Sequence, residues 1–318
     1  MVARLDFAFD CLNIRMPDRK RKEKPAVSII GTGRLGTTLA VALEAKGYVI
    51  RSLVGRRVQS ARKAATLLHS KTAPFDGRTA PFNTKTATLA ASNLSSIPLS
   101  DLFLISVPDD QIAKVATQLS RLKIDSAPVA LHTSGALSSE VLSPLRAQGW
   151  STGSLHPLIS VSDRGASIEG AFWSVEGDAR AVRLAKSIVR DLGGMSFSIS
   201  SAEKPLYHAA AVMTSGNVVA LFDVALEMLV QSGLTRKTAR RILQPLLSST
   251  VSNLETKDPA QALTGTFARG DVETVKRHLA ALKDHKLTDA LELYCTLGKR
   301  SLKVAKKRTR ITRLLDGC

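Results

Sequence analysis

The feature that most constrains this fold is a glycine-rich turn between an apolar run and a helix-like segment, in "AVSIIGTGRLGTTLAVALEAKGYVI" at residues 26–50. The spacing is G-x-G-x-x-G, with Gly31, Gly33 and Gly36 at the three positions. It is a weak pattern alone and a stronger one between a strand and a helix. Gly31 would permit a tight turn, Gly33 the approach of a pyrophosphate, and Gly36 close packing of helix on strand. The alternative is a glycine-rich turn that holds no ligand.

A helix that begins near Arg34 would present free N–H groups and a partial positive charge to phosphates. We therefore expect Thr32, Arg34 and Leu35, together with the three glycines, to form the phosphate-binding part of a dinucleotide site.

The end of the second strand selects between cofactors. NAD sites usually carry an acidic residue about 20 residues after the first glycine, which accepts from the ribose hydroxyls. Here the strand ends in "LVGRRVQS" and offers Arg56 and Arg57 without a carboxylate. Arginine can form a charge-assisted fork to a 2′-phosphate, so the sequence favours NADP(H) over NAD(H). The alternative is that both arginines are merely exposed residues at a helix start.

Short β-branched runs alternate with amphipathic segments as far as residue 200, which indicates a doubly wound, mostly parallel Rossmann sheet. The predicted strands are 26–30, 48–54, 102–107, 127–132, 151–156, 171–177 and 195–200, with a less regular one near 84–90. Predicted helices lie at 34–46, 57–68, 109–121, 138–148 and 178–192.

After residue 200 only helical patterns follow, at 203–232, 235–254, 271–283 and 286–307. The predicted domains are a basic, disordered extension at 1–24 (Met16 is an alternative start), a Rossmann domain at 25–200 and an all-α domain at 201–318.

Composition narrows the class of protein. With 318 residues and 44% hydrophobic residues, the chain can bury a full core. No continuous apolar run approaches the roughly 18 residues of a membrane span, and the N-terminus lacks the apolar stretch of a secretory signal. Cys11, Cys295 and Cys318 suggest neither a disulfide framework nor a metal site. These features fit a reducing cytoplasm.

The net charge is +18 and much of it clusters in "RKRKEK" at 19–24 and "KVAKKRTRITR" at 303–313. Such clusters can contact nucleic acid or an anionic surface. No aromatic interleaving, zinc spacing or RNA-binding motif accompanies them, so solvated faces are the favoured interpretation.

Polar residues follow the predicted strands where a cofactor would lie. "SVPDDQ" at 106–111 offers Val107 and Pro108 as an apolar wall and Asp109 as a helix cap. "HTSGALSSE" at 132–140 offers His132 and Ser134 as candidate catalytic residues, with Ser134 also a candidate cofactor contact. "SLHPL" adds His156. A lone histidine at a strand end is more often a structural hydrogen-bonding group.

The segment 201–222 contains candidates for a proton donor. On a continuous helix Lys204 and His208 share one stripe with Tyr207 beside it, whereas Asn217 lies about 140° away unless Gly216 distorts the helix. Lys204 and His208 therefore rank above Asn217 as catalytic residues. The alternatives are a solvated helix start for Lys204 and satisfied buried polar groups for the other two.

Arg269 and Asp271, in "ARGDVETVKRH", suit structural roles. Asp271 resembles a helix N-cap with Thr274 three residues later, so no full capping box forms. Arg269 could grip a carboxylate substrate or form a structural salt bridge, which is slightly favoured.

Six motifs in order, "GTGRLG", "SVPDDQI", "HTSGALS", "SLHPL", "EKPLYHAAAVMTSGN" and "LTGTFARGDVETVKRHLAAL", resemble the Rossmann-like proteins with a DUF2520 domain. That family is grouped with 6-phosphogluconate dehydrogenase, pyrroline-5-carboxylate reductase and F420-dependent NADP reductases. The resemblance covers roughly residues 25–305. Thr266 stands where the family pattern has proline, and the loss of that proline changes the stiffness of the loop.

The resemblance implies an NADP-binding domain and a helical substrate and dimerisation domain in a homodimer. Some members resemble an alternative type of ketopantoate reductase in pantothenate synthesis. The resulting hypothesis is an NADPH-dependent reductase of a small oxo acid, with ketopantoate the leading substrate. The alternatives are an imine or deazaflavin partner, or a non-catalytic NADP(H)-binding regulator.

Overall fold

The computed structural model describes residues 24–69, 72–73, 88–122, 124, 126–307 and 310–317. The predicted extension at 1–24 lies outside this set apart from Lys24, as do Met16, Cys11 and Cys318. The chain forms two compact units, one ending at Ala209 and one beginning at Ala210. They divide inside the first long helix after residue 200.

The described part of the first unit contains one sheet of nine strands in the order β3-β4-β2-β1-β5-β6-β7-β8-β9. All neighbours are parallel except β7 and β8, which are antiparallel. The chain turns from β1 to one side of the sheet and later resumes at β5 on the other, which confirms the predicted doubly wound Rossmann fold. The strands are β1 (Val27–Ile30), β2 (Ile50–Val54), β3 (Thr72–Ala73), β4 (Thr88–Ala91), β5 (Leu102–Ile105), β6 (Val129–His132), β7 (Ser151–Leu158), β8 (Phe172–Gly177) and β9 (Met195–Ser198).

The central strands β1, β5 and β6 are buried along their whole length, because helices cover both faces of the sheet. One buried cluster includes Leu39 and Trp173, and the other includes Ile112 and Trp150. The helices of this layer are α1 (Arg34–Ala45), α2 (Val58–Ala65), α3 (Asp109–Leu119), α4 (Ser143–Arg146) and α5 (Ala179–Asp191). The predicted helix at 138–148 is a 3₁₀ turn followed by the short α4.

The predicted continuous helix at 203–232 is wrong, because it is interrupted at Ser215 between α6 (Lys204–Thr214) and α7 (Gly216–Gln231). Ser215 has φ −120° and ψ −80°, far from helical values. The hydroxyls of Thr214 and Ser215 donate to carbonyls one turn earlier, which competes with regular helix geometry. The stripe shared by Lys204 and His208 therefore does not extend to Asn217.

The second unit is all-helical, as predicted. Its helices after α7 are α8 (Arg236–Thr256), α9 (Pro259–Ala262), α10 (Gly265–Arg269), α11 (Val272–Asp284), α12 (Thr288–Val304) and α13 (Arg310–Asp316). Their core contains Val275, Leu302 and Ile311. The side chain of Asp271 accepts from the backbone N–H of Thr274 at 3.1 Å, which confirms the predicted N-cap of α11.

Two findings depart from the compositional expectations. Cys295 is disulfide-bonded, although the cysteine pattern predicted no disulfide framework. In addition, the segment Ser201–Gln231 is long and apolar enough to cross a membrane by length and composition. An 18-residue stretch within it has a mean hydropathy of 1.6, and 6% of that stretch is buried. Because this segment is divided at Ser215 into α6 and α7, it is weak evidence for a membrane span.

Candidate functional site

A groove of about 670 Å³ lies at the carboxyl ends of the strands in the first unit. Its floor is the turn after β1, and its sides come from the segments after β2 and β5. Val107 and Pro108 line it, as the predicted apolar wall requires. The groove therefore lies where the strand order reverses, the usual ligand position in an open α/β sheet. Residues used below that line it are Gly31, Thr32, Gly33, Gly55, Arg56, Arg57, Ser60, Ser106, Val107, Pro108, Asp110, Gln111 and Arg164.

The three glycines have different roles in this turn. Gly31 has φ +108°, and a Cβ there would collide with the backbone oxygen of Ser106. A Cβ at Gly36 would collide with the carbonyl oxygen of Gly31, so this glycine allows α1 to approach β1. A Cβ at Gly33 would meet no atom of the described residues within 4 Å. Gly33 therefore keeps space open in the groove, which fits a group approaching the backbone closely.

The N-terminus of α1 is free of side-chain capping. Gly33 is the N-cap residue, no side chain accepts a capping hydrogen bond, and the first turn holds no acidic residue. Its N–H groups can therefore receive a phosphate. Thr32 lines the groove beside them. Arg34 and Leu35 form the first turn of α1 but are not among the residues that line the groove.

Arg56 and Arg57 lie at the far side of the groove, after β2. Both are exposed and line it together with Ser60. Among the described residues, neither forms an ion pair. Two unpaired guanidinium groups and a hydroxyl suit a phosphate better than a neutral ribose edge.

The loop after β6 is held by its own polar side chains. The Ser134 hydroxyl donates to Asp109 Oδ2 at 2.8 Å and accepts from the N–H groups of Ala136 and Leu137. The prediction of Asp109 as a helix cap is wrong, because Pro108 occupies the cap position and the carboxylate is bonded to Ser134 instead. His132 is fully buried, and its Nδ1 accepts from the N–H of Ser134.

Lys204, at the start of α6, is buried with 0% exposure, so the alternative of a solvated helix start is wrong. Its Nζ donates to Ser154 Oγ at 2.7 Å and to the carbonyl oxygen of Ser134 at 3.2 Å. The ammonium thus ties β7 and the loop after β6 to the first turn of α6. As placed, it holds the peptide between Ser134 and Gly135 rather than facing solvent.

Two histidines, one from β7 and one from α6, meet against Gly135. The rings of His156 and His208 are 5.5 Å apart, and a Cβ at Gly135 would collide with Nδ1 of His208 and lie 2.8 Å from Nε2 of His156. His156 Nδ1 is 2.8 Å from the hydroxyl of Tyr207. Nδ1 of His208 is buried, and no described residue forms a hydrogen bond with it. The alternative of a satisfied buried histidine therefore does not describe His208.

Sequence reasoning missed Glu176, which completes this arrangement. Its carboxylate accepts from the N–H and hydroxyl of Ser139 at 2.7 and 2.9 Å, and from the hydroxyl of Ser201 at 3.2 Å. It fixes the loop after β6 to the segment before α6. The sequence signal that could have identified Glu176 is its position as the one carboxylate in the apolar run "AFWSVEG". A charged residue in a buried strand is unusual unless it has a partner.

Asn217, by contrast, is exposed and lies in the second unit, beyond the break at Ser215. Its Nδ2 lies 2.9 Å from the Met213 sulfur. Of the predicted catalytic residues, the structure brings His132, Ser134, Lys204 and His208 into one network within the first unit.

Burial dominates the electrostatics of this network. It lowers the pKa of His132 to about 3, helped by the charge of Lys204, and that of His156 to about 4, helped by the charges of His208 and Lys204. The pKa of Lys204 is also lowered by burial, while Glu176 and Asp109 oppose the effect. Both imidazoles with lowered pKa are neutral near neutral pH, so neither of these two rings places a positive charge against Lys204 there.

Acidification from pH 7 to pH 5 is expected to destabilise the first unit. An unfolded histidine titrates near pH 6.5, above the folded pKa values of His132 and His156. The unfolded state therefore binds more protons below pH 6.5, and stability present at pH 7 is lost as the pH falls. The expected loss at pH 5 is about 2 kcal/mol for each imidazole.

Urea unfolding measures this loss, with the fluorescence of Trp150 and Trp173, both buried in the first unit, as the signal. His156→Gln should remove about half of the pH dependence. His285→Gln, at an exposed position in the second unit, should leave it unchanged. A free energy of unfolding equal at pH 6.5 and pH 5 would contradict the prediction.

Comparisons with known proteins agree with this architecture. The model of the Rossmann-like domain matches residues 15–157, and that of the domain of unknown function DUF2520 matches residues 171–301. No curated protein matches the sequence.

Solved structures share the fold over most of the chain. A Bacteroides fragilis protein provisionally assigned as an NADP oxidoreductase is 22% identical with a TM-score of 0.70, covering 88% of this chain and 99% of that one. Protein TM1727 from Thermotoga maritima is 25% identical with a TM-score of 0.65, covering 88% and 98%. The reductive aminase of Aspergillus terreus, solved with NADPH, is 15% identical with a TM-score of 0.62, covering 92% and 98%. The two domain models match in chain order and together take in most of the sequence, so this chain combines a Rossmann-like domain with a DUF2520 domain.

Proposed function

We propose that this protein is an NADPH-dependent reductase of a small oxo acid or related carbonyl compound. The observation that carries the proposal is the groove itself. Gly33 leaves open space beside an uncapped helix N-terminus, with Arg56 and Arg57 farther along the same groove. Structural neighbours include reductases solved with NADPH or NADP, such as the reductive aminase of Aspergillus terreus and a pyrroline carboxylate reductase of Plasmodium falciparum.

The residues present fit this cofactor in three places. The backbone around Gly33 and the first turn of α1 would hold the diphosphate. Arg56 and Arg57 would bind the 2′-phosphate, and Val107 with Pro108 would flank the nicotinamide end. When bound, NADPH supplies the hydride.

His208 is the proton donor in this proposal. Its Nδ1 is buried against Gly135 and has no hydrogen-bond partner in the described part of the chain, and a buried N–H without an acceptor is rarely tolerated. We therefore assign the donated proton to Nε2, which can donate to a carbonyl oxygen. As the carbonyl carbon accepts hydride, its oxygen takes the proton from Nε2, and the ring recovers a proton from solvent.

Lys204 is a positioning residue in the same scheme. Its hydrogen bonds to Ser154 and to the Ser134 carbonyl fix Gly135, and Gly135 lies against both His156 and His208. The Ser134 hydroxyl is engaged with Asp109, and His132 is buried behind the loop. Ser134 and His132 therefore shape this part of the site, and Asn217 has no role in the scheme.

Oxidation of NADPH by the purified protein, followed by absorbance, tests the function. Ketopantoate is the first substrate, beside other 2-oxo acids and cyclic imines. Imines belong in the panel because the neighbours include an imine reductase from Pseudomonas sp.. Saturable turnover on a 2-oxo acid is expected. Tight NADPH binding without turnover on any compound would favour a non-catalytic regulator or another hydride acceptor, such as a deazaflavin.

We also propose a homodimer in which a second copy covers the apolar face of α7 and α8. Val219 and Leu246 are 70% and 62% exposed, and Leu221, Ile242 and Leu254 are exposed beside an apolar groove of about 250 Å³. Several exposed apolar side chains beside one apolar groove are typical of an interface between subunits. Light scattering should give twice the chain mass, and Leu246→Glu should halve it. A monomeric wild-type protein would contradict the proposal.

A further inference from the structure

The loop between β7 and β8, residues 159–171, brings an arginine to the groove that the sequence patterns did not identify. Arg164 lines the groove together with Gly31, Gly33 and Arg56, although it lies more than 100 residues farther along the chain than these three. It is exposed, and among the described residues no ion pair or hydrogen bond involves its side chain. Its charge is therefore available to a ligand.

The loop is attached to the glycine-rich helix on both sides of Arg164. The hydroxyl of Thr38, on the second turn of α1, donates to the carbonyl oxygen of Asp163 at 3.4 Å and accepts from the N–H of Gly165 at 3.0 Å. Thr38 is 1% exposed, and both bonds are partly buried. Ile168 belongs to the core and fixes the end of the loop. Arg164 is thus held beside α1 by specific contacts.

This attachment distinguishes Arg164 from the other two arginines of the groove. Arg56 and Arg57 follow β2 and lead into α2, whereas Arg164 is tied to the helix whose N-terminus faces the groove. Asp110 also lines the groove, and its carboxylate accepts from the side-chain amide of Gln111. The three arginines that line the groove nevertheless outnumber this one carboxylate.

We infer that Arg164 binds the diphosphate of the dinucleotide and that Thr38 is the residue that positions it. This inference rests on the proposed function. The α1 N-terminus offers only backbone N–H groups and a partial charge, so a full guanidinium charge adds the charge-assisted bonds that a diphosphate accepts. Because NADPH and NADH share the diphosphate, Arg164 should contribute equally to both, unlike a residue that binds the 2′-phosphate.

Fluorescence titration of the full-length protein with NADPH and with NADH tests the assignment. Arg164→Gln should weaken binding of both nucleotides by about 10-fold or more, since hydrogen bonds to charged groups are the strong ones. Arg56→Gln should weaken NADPH binding and leave NADH binding nearly unchanged. Arg183→Gln, an exposed arginine on α5 outside the groove, is the matched control for the loss of one charge.

Thr38 supplies a second test. Thr38→Val keeps the shape of the side chain but removes both hydrogen bonds to the loop, and should weaken binding of the two nucleotides in parallel. Thr38→Ser keeps the hydroxyl and should restore affinity. Circular dichroism establishes that each variant is folded.

Two results would overturn the assignment: an Arg164→Gln protein that binds like Arg183→Gln, or one that loses NADPH but not NADH affinity. Wild-type protein that binds neither nucleotide would instead refute the proposed function, and the Arg164 assignment with it.

Discussion

Alanine at position 31 is expected to destabilise the first unit by about 3 kcal/mol or more, and to abolish nucleotide binding as a consequence. Gly31 has φ +108°, a conformation that side chains rarely adopt, and a Cβ would collide with the backbone oxygen of Ser106 on the neighbouring segment. The N–H of Gly31 also donates to the carbonyl oxygen of Val54 at 2.8 Å, so the turn cannot relax without disturbing the sheet. Urea unfolding followed by tryptophan fluorescence measures the loss.

Gly33→Ala is the matched control, two residues away in the same turn. Gly33 has φ −71° and a Cβ there meets no atom of the described residues within 4 Å, so the fold should keep its stability. The added methyl group would occupy the space that we assign to the diphosphate, and NADPH affinity should fall by about 10- to 100-fold. If Gly33→Ala bound NADPH as tightly as the wild type, the turn would be purely structural and the proposed function would lose its main support.

His208→Ala is expected to reduce turnover by about 100- to 10,000-fold, because it removes the group that we assign to proton transfer. NADPH affinity should be unchanged, since His208 does not line the cofactor groove. The measurement is NADPH oxidation with the best substrate of the panel, together with a separate NADPH titration. Turnover near the wild-type rate would remove His208 from the mechanism.

Lys204→Met separates the two candidate proton donors. Methionine keeps the apolar stem but cannot donate to Ser154 Oγ or to the Ser134 carbonyl, so Gly135 and the histidines beside it lose their support. Turnover should fall, and the pH profile of the residual activity should still report one imidazole. A Lys204→Met protein without that ionisation, beside a His208→Ala protein that retains it, would make Lys204 the acid and contradict our assignment.

The order of elements in the first unit could be predicted because it depends on local signals. The β-branched runs, the turn around Gly31 and the amphipathic segments each determine their own secondary structure, and a parallel sheet follows from their alternation. The cap at Asp271 was predictable for the same reason. The sequence predicted one helix at 203–232, whereas the structure has α6 and α7. The hydroxyls of Thr214 and Ser215 bond to backbone carbonyl oxygens at the break, and apolar periodicity gives no signal of those bonds.

By itself, the sequence determined the order of strands and helices in the first unit, the all-helical second unit and the glycine turn, since local residue patterns indicate each of these. Only the tertiary structure decided the partners of the buried polar groups. It paired Asp109 with Ser134, buried Lys204 behind Ser154, and brought Arg164 to the groove through Thr38. These contacts join segments that are 25 to 127 residues apart, because a buried charge or hydroxyl must find a partner wherever the fold supplies one.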